Sequence, residues 1–266
     1  MSAAGWQQHW VLWERAAHHV NERLVDLAHI QAGDRVLDIA TGLGEPAFTA
    51  ARRVGPTGRV VATDLSPDML ALAQAEAIRR GLQQIEFREM DAEEPDLPTQ
   101  TFQAILCRWA LMFLPHLPTA LVRLRRLLVA GGRFAAAVWG APEHVPIASL
   151  PMGIIRRTLH VPSPPPGTPG TCSLADAQVL EHTFTQAGYT EVATERLTVT
   201  LEYASPEDFI QEREATSANI RLLLNQASAP ERAAIWRAVA EAVDQYRDAD
   251  GVIRVPNEAL CVVSRA

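Results

Sequence analysis

The sequence predicts an α/β fold: a parallel sheet wound on both faces by helices. Two observations carry this. Apolar, strand-like runs alternate with helical patterns over about 105 residues, between residues 35 and 139, which is the signature of βαβ units. Residues 36–46 (VLDIATGLGEP) also join an apolar run to a small-residue turn that opens a helix, the way such sheets build a nucleotide-type pocket. The chain has 266 residues and is 48% hydrophobic, which suits one large α/β domain, with or without a small cap.

The elements follow in order. Residues 6–30 form an amphipathic helix pattern with Val20, Leu24, Leu27 and Ala28 on one face, broken by Gly33 and Asp34. Residues 35–40 are the first strand, and a helix over residues 46–54 stops at Gly55–Pro56. Residues 59–63 are the second strand. Ser66 then serves as N-cap and Pro67 as N1 of a helix that runs to about Arg80 and stops at Gly81. Residues 85–88 and 102–108 are strands, 118–129 a helix, and Gly131–Gly132 turns into a fifth strand over 133–139. Residues 140–173 are proline-rich, with VPSPPPGTPG at 161–170, and read as loop or lid rather than core. Residues 174–187 read as helix. Residues 191–203 alternate, with Leu197, Val199, Leu201 and Tyr203 on one face, and read as strand. Residues 206–247 are mostly helical with an interruption near Ala229–Pro230, and 259–264 form the last strand. No internal repeat or interdomain linker is visible. The expected organisation is a single domain over 1–266: an N-terminal helix (1–30), a cofactor-binding core (31–139), and substrate cap or lid segments at 140–173 and 206–247.

Composition removes several function classes. The net charge is −7, against the basic surface that nucleic-acid binding uses. All 24 basic residues are Arg, so there is no lysine for Schiff-base chemistry or a P-loop. Cys107, Cys172 and Cys261 form neither a CxxC pair nor a disulfide framework, which points to a reducing, cytoplasmic setting. No apolar run reaches the ~18 residues of a membrane span, and no secretory signal pattern is visible. No metal site is expected.

The glycine turn poses the question of the ligand. Gly42 and Gly44 match the first two glycines of a dinucleotide fingerprint, and Ala47 fits the third position. Glu45, however, puts a negative charge where a pyrophosphate would sit, and Pro46 has no backbone N–H to offer it. The turn therefore suits a nucleoside ligand without phosphates at this point, such as S-adenosylmethionine.

Five segments in order, VLDIATGLGEP (36–46), VVATDLSPDML (60–70), MDAEE (90–94), FQAILCRWALMFL (102–114) and LLVAGGRFAAAVWG (127–140), resemble the class I S-adenosylmethionine-dependent methyltransferases. Within them the chain is most similar to the small-molecule branch containing the ubiquinone and menaquinone biosynthesis enzymes. The resemblance implies a Rossmann-like, seven-stranded sheet with its last strand antiparallel. It implies S-adenosylmethionine as cofactor and S-adenosylhomocysteine as its product. Asp38, Ala40, Thr41, Gly42 and Gly44 then form the cofactor turn, where Thr41 departs mildly from the usual Cys or Gly. A buried Asp38 needs partners such as turn amides or the ligand's ammonium. Asp64, about twenty residues past the turn, is placed to accept both ribose hydroxyls. Leu65 and Met69 are placed to sandwich the adenine, with plain helix packing the alternative for Met69. Asp91 and the Ala92 backbone are placed for the adenine edge, with an N-cap role the alternative for Asp91. Arg108, Trp109 and Ala110 follow the fourth strand, where backbone contacts are expected. Trp6, Trp10 and Trp13 share helical spacing and read as core packing, with roofing over the cofactor as the alternative.

The reaction implied is in-line displacement of a methyl group from sulfonium, for which positioning supplies most of the catalysis. A base is needed for a phenol or an activated carbon. His116 and His144, at the carboxyl ends of strands, are the base candidates, ahead of His9, His18, His19, His160 and His182. Ile147, Leu150, Met152, Ile154 and Ile155 in one lid, and Phe209, Ile220, Leu222, Leu223 and Leu224 in the other, point to a small, mostly apolar acceptor. An aromatic, quinone-like or polyketide-like compound methylated on O or C rather than N fits them. Arsenic methylation is disfavoured by the scattered cysteines, and nucleic-acid methylation by the charge and by CRWALM after the fourth strand. Two alternatives stand beside this reading: an NAD-dependent oxidoreductase, and a catalytically silent S-adenosylmethionine-binding scaffold. The partner expected is a small molecule, neither nucleic acid nor membrane. Monomer and homodimer are equally compatible with the sequence.

Overall fold

The computed structural model describes residues 3–165 and 167–266. The chain divides into two compact units. The first comprises Met1–Ala17, Gly140–Thr168 and Thr198–Glu258; the second comprises His18–Trp139, Pro169–Leu197 and Ala259–Ala266.

The second unit is built on the sheet. Strands β1 (Arg35–Ile39), β2 (Arg59–Asp64), β3 (Ile85–Glu89), β4 (Phe102–Arg108), β5 (Leu128–Trp139), β6 (Thr190–Tyr203) and β7 (Ile253–Arg265) lie in the order β3-β2-β1-β4-β5-β7-β6. The pairings β1–β2, β2–β3, β1–β4 and β4–β5 are parallel, and β5–β7 is antiparallel. The Rossmann-like sheet with an antiparallel last strand is thus present. Strands β1 and β4 are buried along nearly their whole length (Val36, Leu37, Asp38, Ile39; Ala104, Ile105, Leu106, Cys107), as expected for strands covered on both faces. Their apolar side chains contribute about 1.5–3 kcal/mol each when fully buried.

Strand order reverses between β1 and β4. β1 is followed in sequence by β2 on one side, whereas β4 lies on the other, which opens a crevice at their carboxyl ends. The helices entering that crevice are α3 (Ala47–Val54) after β1 and α4 (Pro67–Arg79) after β2. As predicted, Ser66 caps α4, its hydroxyl accepting from the Met69 N–H at 3.3 Å with Pro67 in the first turn.

The first unit is mostly helical and also carries the end of β6 from Thr198 and the start of β7 up to Glu258. It holds α1 (Ala3–Gln8), the start of α2 (Trp10–Leu27), α6 (Pro146–Thr158), α8 (Pro206–Thr216), α9 (Ala218–Leu224) and α10 (Ala229–Asp244). Helices α5 (Leu117–Leu127) and α7 (Ala177–Gln186) belong to the second unit. In the first unit α10 packs on α6 and α8, and α1 on α8. Gly5 permits that last approach, since a Cβ there would lie 2.3 Å from the Ala215 carbonyl oxygen.

Two expectations differ from the observed elements. The helix expected over 6–30 is α1 followed by α2, separated at His9. Residues 140–173 are not all loop: α6 occupies Pro146–Thr158, burying Ile147, Ile154 and Ile155 on one face. Proline content masked that periodicity, because Pro146 sits in the first turn, where its missing N–H costs nothing. The run 161–170 is irregular where described, and Pro166 within it lies outside the described residues. The interruption expected near Ala229–Pro230 is present: α9 ends at Leu224 and α10 begins at Ala229, behind a Ser228–Glu231 capping box.

Candidate functional site

The crevice end of the second unit is organised around two carboxylates. Ala40, just after β1, has φ 53°, and Gly42 (φ 56°) and Gly44 (φ 106°) complete a turn in left-handed backbone. The Gly44 N–H donates to the Thr41 carbonyl (2.9 Å), and the Thr41 N–H to the Thr63 carbonyl (2.8 Å), so β2 holds the turn. Gly44 is needed for packing: a Cβ would lie 2.1 Å from the Phe48 ring. At Gly42 a Cβ would meet nothing within 4 Å, so the backbone there faces open space that a ligand can approach closely.

Asp64 ends β2 and is half-buried. Its Oδ2 accepts from the Gly42 N–H (2.9 Å) and its Oδ1 from the Ser66 N–H (2.9 Å). One carboxylate thus ties the turn of β1 to the start of α4. Each oxygen keeps lone-pair capacity for a further donor. Beside it Leu65 is 65% exposed, whereas Met69 is buried in the packing of α4. Asp91, after β3, is half-buried and caps its own turn, its Oδ1 accepting from the Glu93 N–H (2.8 Å); Ala92 next to it is buried.

Asp38 is completely buried within β1. Its Oδ2 accepts from the Thr41 hydroxyl (2.6 Å) and the Ala47 N–H (3.0 Å), while Oδ1 has no hydrogen-bond partner among the described residues. Burial drives its pKa up to about 7; the Thr41 hydroxyl, the Arg108 guanidinium and the Ala47 N–H oppose the rise, and Glu45 adds to it. A carboxyl raised in this way favours the folded state only while protonated. The folded chain keeps the proton from the unfolded pKa near 4 up to about 7. Stability is therefore greatest at the acidic end of that window and falls as the pH rises through 7. Between about pH 5 and about pH 8.5 this one group should cost the fold about 2–3 kcal/mol. Asp38→Asn should remove that part of the slope. Denaturant midpoints at the two pH values measure it, and an Asn variant as pH-sensitive as the parent refutes the assignment.

Two sequence expectations need revision here. Glu45 does not present its charge to the turn's ligand side. It is 3% exposed, its Oε2 accepts from the Thr49 N–H and hydroxyl, and Arg52 and Arg80 lie 3.6 and 3.7 Å away. The first turn of α3 draws the side chain inward, so the mismatch with a pyrophosphate rests on Pro46, which has no N–H to offer. Arg108 does more than supply backbone. It is half-buried, its Nη1 donates to Asn21 Oδ1 of α2 (2.7 Å), and its guanidinium lies 4.9 Å from the Trp109 ring centroid. Trp109 in turn, at φ 57°, stacks on Trp139 at 4.3 Å. Asn21 was missed in the sequence. Its signal is an amide in an otherwise apolar helix face, beside Val20, Leu24 and Val25.

Of the candidate site residues, Asp38, Ala40, Thr41, Gly42, Gly44, Asp64, Leu65, Met69, Asp91, Ala92, Arg108 and His116 belong to the second unit; Trp10 and His144 belong to the first. His116 is exposed at the start of α5, where its backbone N–H donates to Glu93 Oε1 (2.5 Å). His144 is exposed, with Nδ1 3.7 Å from Glu258 Oε1. Cys107 beneath the site is no nucleophile, because burial pushes its thiol up to about 12, aided by the Asp38 charge.

A family model described as a methyltransferase domain matches residues 36–132. The aklanonic acid methyltransferase DauC of Streptomyces sp. (strain C5) is 40% identical over 116 residues, 44% of this chain and 53% of that protein. The ubiquinone/menaquinone biosynthesis C-methyltransferase UbiE of Ectopseudomonas oleovorans is 36% identical over 123 residues, 46% of this chain and 68% of that protein. The chain spans about half the length of most curated relatives it matches. The YcgJ protein of Bacillus subtilis shares the fold at a TM-score of 0.62, with 22% identity, over 93% of this chain and 98% of that one.

Proposed function

Because this chain belongs to the class I S-adenosylmethionine-dependent methyltransferases, we propose that it moves a methyl group from that cofactor to a small, mostly apolar acceptor by in-line displacement. The observation that carries the reading is the turn of Gly42 and Gly44 joined to Asp64, with the open backbone of Gly42 beside an acid that has acceptor capacity left. Bound there, the sulfonium cofactor supplies an electrophilic methyl group and a neutral thioether leaving group.

The residues present fit such a ligand. Asp64 takes the ribose hydroxyls while staying anchored to the two backbone N–H groups. Leu65, exposed beside it, covers one face of the adenine, and Asp91 with the Ala92 backbone takes the adenine edge. Asp38 has a buried acceptor atom to spare, which suits the cofactor's ammonium better than a phosphate. The acceptor is an aromatic, quinone-like or polyketide-like compound methylated on oxygen or carbon. Support for that class comes from the names of the relatives, one acting on aklanonic acid and one in quinone biosynthesis, and from the apolar supply of α6 and α9.

Calorimetric titration tests the cofactor. S-adenosylhomocysteine should bind, and tight NADH binding without any response to S-adenosylhomocysteine would sink the proposal. Mass-shift assays on phenolic and quinone-like acceptors then test the transfer. His116 and His144 are the bases available to an acidic O–H or C–H acceptor. Replacing the one that serves by Ala should lower turnover by roughly 10²–10⁴-fold with cofactor affinity intact. If neither variant changes turnover or its pH profile, the acceptor is activated without them. Among the described residues no helix is long and apolar enough to cross a membrane.

A further inference from the structure

Asn21 lies mid-way along α2 and is completely buried. An amide in such a place costs free energy unless its polar atoms are bonded. Only half of it is satisfied. Arg108 Nη1 donates to Asn21 Oδ1 at 2.7 Å, and because a guanidinium has donors alone, this bond orients the amide: oxygen toward Arg108, Nδ2 away from it. Nδ2 has no hydrogen-bond partner among the described residues.

The second buried atom without a partner here is Asp38 Oδ1. In the β1–β4 register Asp38 pairs with Leu106, and Arg108 stands two residues further along β4, on the same sheet face. The Asn21–Arg108 bond brings α2 to that face. A buried amide donor, a guanidinium seated on Trp109, and a buried acid thus gather at the carboxyl ends of β1 and β4, where ligands bind in such sheets. A donor pair next to an acid matches a group that carries an anion and a cation on one carbon.

Resting on the proposed function, we infer that Asn21 and Arg108 hold the carboxylate of the cofactor's amino-acid arm while Asp38 Oδ1 takes its ammonium. Asn21 is then a specificity residue: it selects ligands that keep the amino-acid arm over those that end at the thioether. It also sets the angle of Arg108, whose other side is held by the Trp109 ring.

The test compares two ligands by isothermal titration calorimetry on the full chain. S-adenosylhomocysteine carries the arm; 5′-methylthioadenosine has the same adenosine and thioether without it. Asn21→Asp keeps the shape and the bond to Arg108 but places an anion against the carboxylate. It should weaken S-adenosylhomocysteine roughly tenfold or more and leave 5′-methylthioadenosine unchanged. Equal losses for both ligands indicate a structural role and overturn the inference, as does an unchanged ratio. The parent protein supplies an independent arm of the test, should the variant not fold. Decarboxylated S-adenosylhomocysteine must bind the parent more weakly than S-adenosylhomocysteine, and equal affinity overturns the inference. A parent that binds none of these ligands refutes the methyltransferase reading itself, whereas one that binds them without discrimination refutes only the role of Asn21.

Discussion

Asp64→Ala should weaken S-adenosylhomocysteine binding by about 2–3 kcal/mol, roughly 30- to 150-fold, through loss of charge-assisted hydrogen bonds to the ribose hydroxyls. The loss is this large because one carboxylate does two jobs. It accepts from the Gly42 and Ser66 N–H groups, and so holds the glycine turn against the start of α4 while offering its remaining lone pairs to the ligand. Asp64→Asn keeps one acceptor oxygen and the shape, and should lose less. A cofactor analogue lacking the ribose 2′-hydroxyl separates the two jobs. It should bind the parent more weakly than the full ligand and lose less than the full ligand does in Asp64→Ala; the loss that remains reports the turn-holding job and the 3′-hydroxyl. An unchanged dissociation constant in Asp64→Ala would refute the assigned role.

Glu212→Gln should destabilise the fold by about 3–5 kcal/mol, the cost of leaving one charge of a buried pair uncompensated. Glu212 and Arg213 of α8 are both buried and paired with each other. The Glu212 carboxylate also accepts from Trp13 Nε1 (2.9 Å), the Tyr203 hydroxyl (3.2 Å) and the Thr216 hydroxyl (2.9 Å). Burial alone would raise its carboxyl; the Arg213 charge and these donors outweigh that and hold it below the ordinary carboxylate range. Gln keeps the volume and some of the hydrogen bonds, so the loss reads out the charge. Adding Arg213→Met to Glu212→Gln should recover much of the stability, since the penalty belongs to the stranded cation. Chemical denaturation of parent, single and double variants measures this. A single-variant loss under about 1 kcal/mol means that the pair is replaceable.

Much of the cofactor side of this protein is legible without coordinates. The apolar runs placed β1, β2 and β4 to within a residue, because strands covered by helices read as continuous apolar stretches, and the edge strand β3 (IEFRE) was placed by its position after the Gly81 stop. Ser66–Pro67 and the glycine turn were equally readable, since caps and left-handed backbone depend on residues a few positions apart. Where local signals competed, reading failed: proline content hid α6, although Ile147, Ile154 and Ile155 carried a helical period.

The sequence by itself determined the alternation of strand and helix, the turn that admits a nucleoside, and the acids within β1, at the end of β2 and after β3. Each rests on short-range chemistry: side-chain period, backbone freedom at glycine, and a carboxylate at a strand end. Only the tertiary structure decided what those acids face. It turned Glu45 into α3, left one oxygen of Asp38 bare, and joined Arg108 to Asn21 across 87 positions and Trp13 to Glu212 across 199. The physical reason is that a buried polar atom must find its partner among whatever the packing brings within about 3 Å. Which partner that is depends on sheet register and helix docking, and no short-range pattern encodes either.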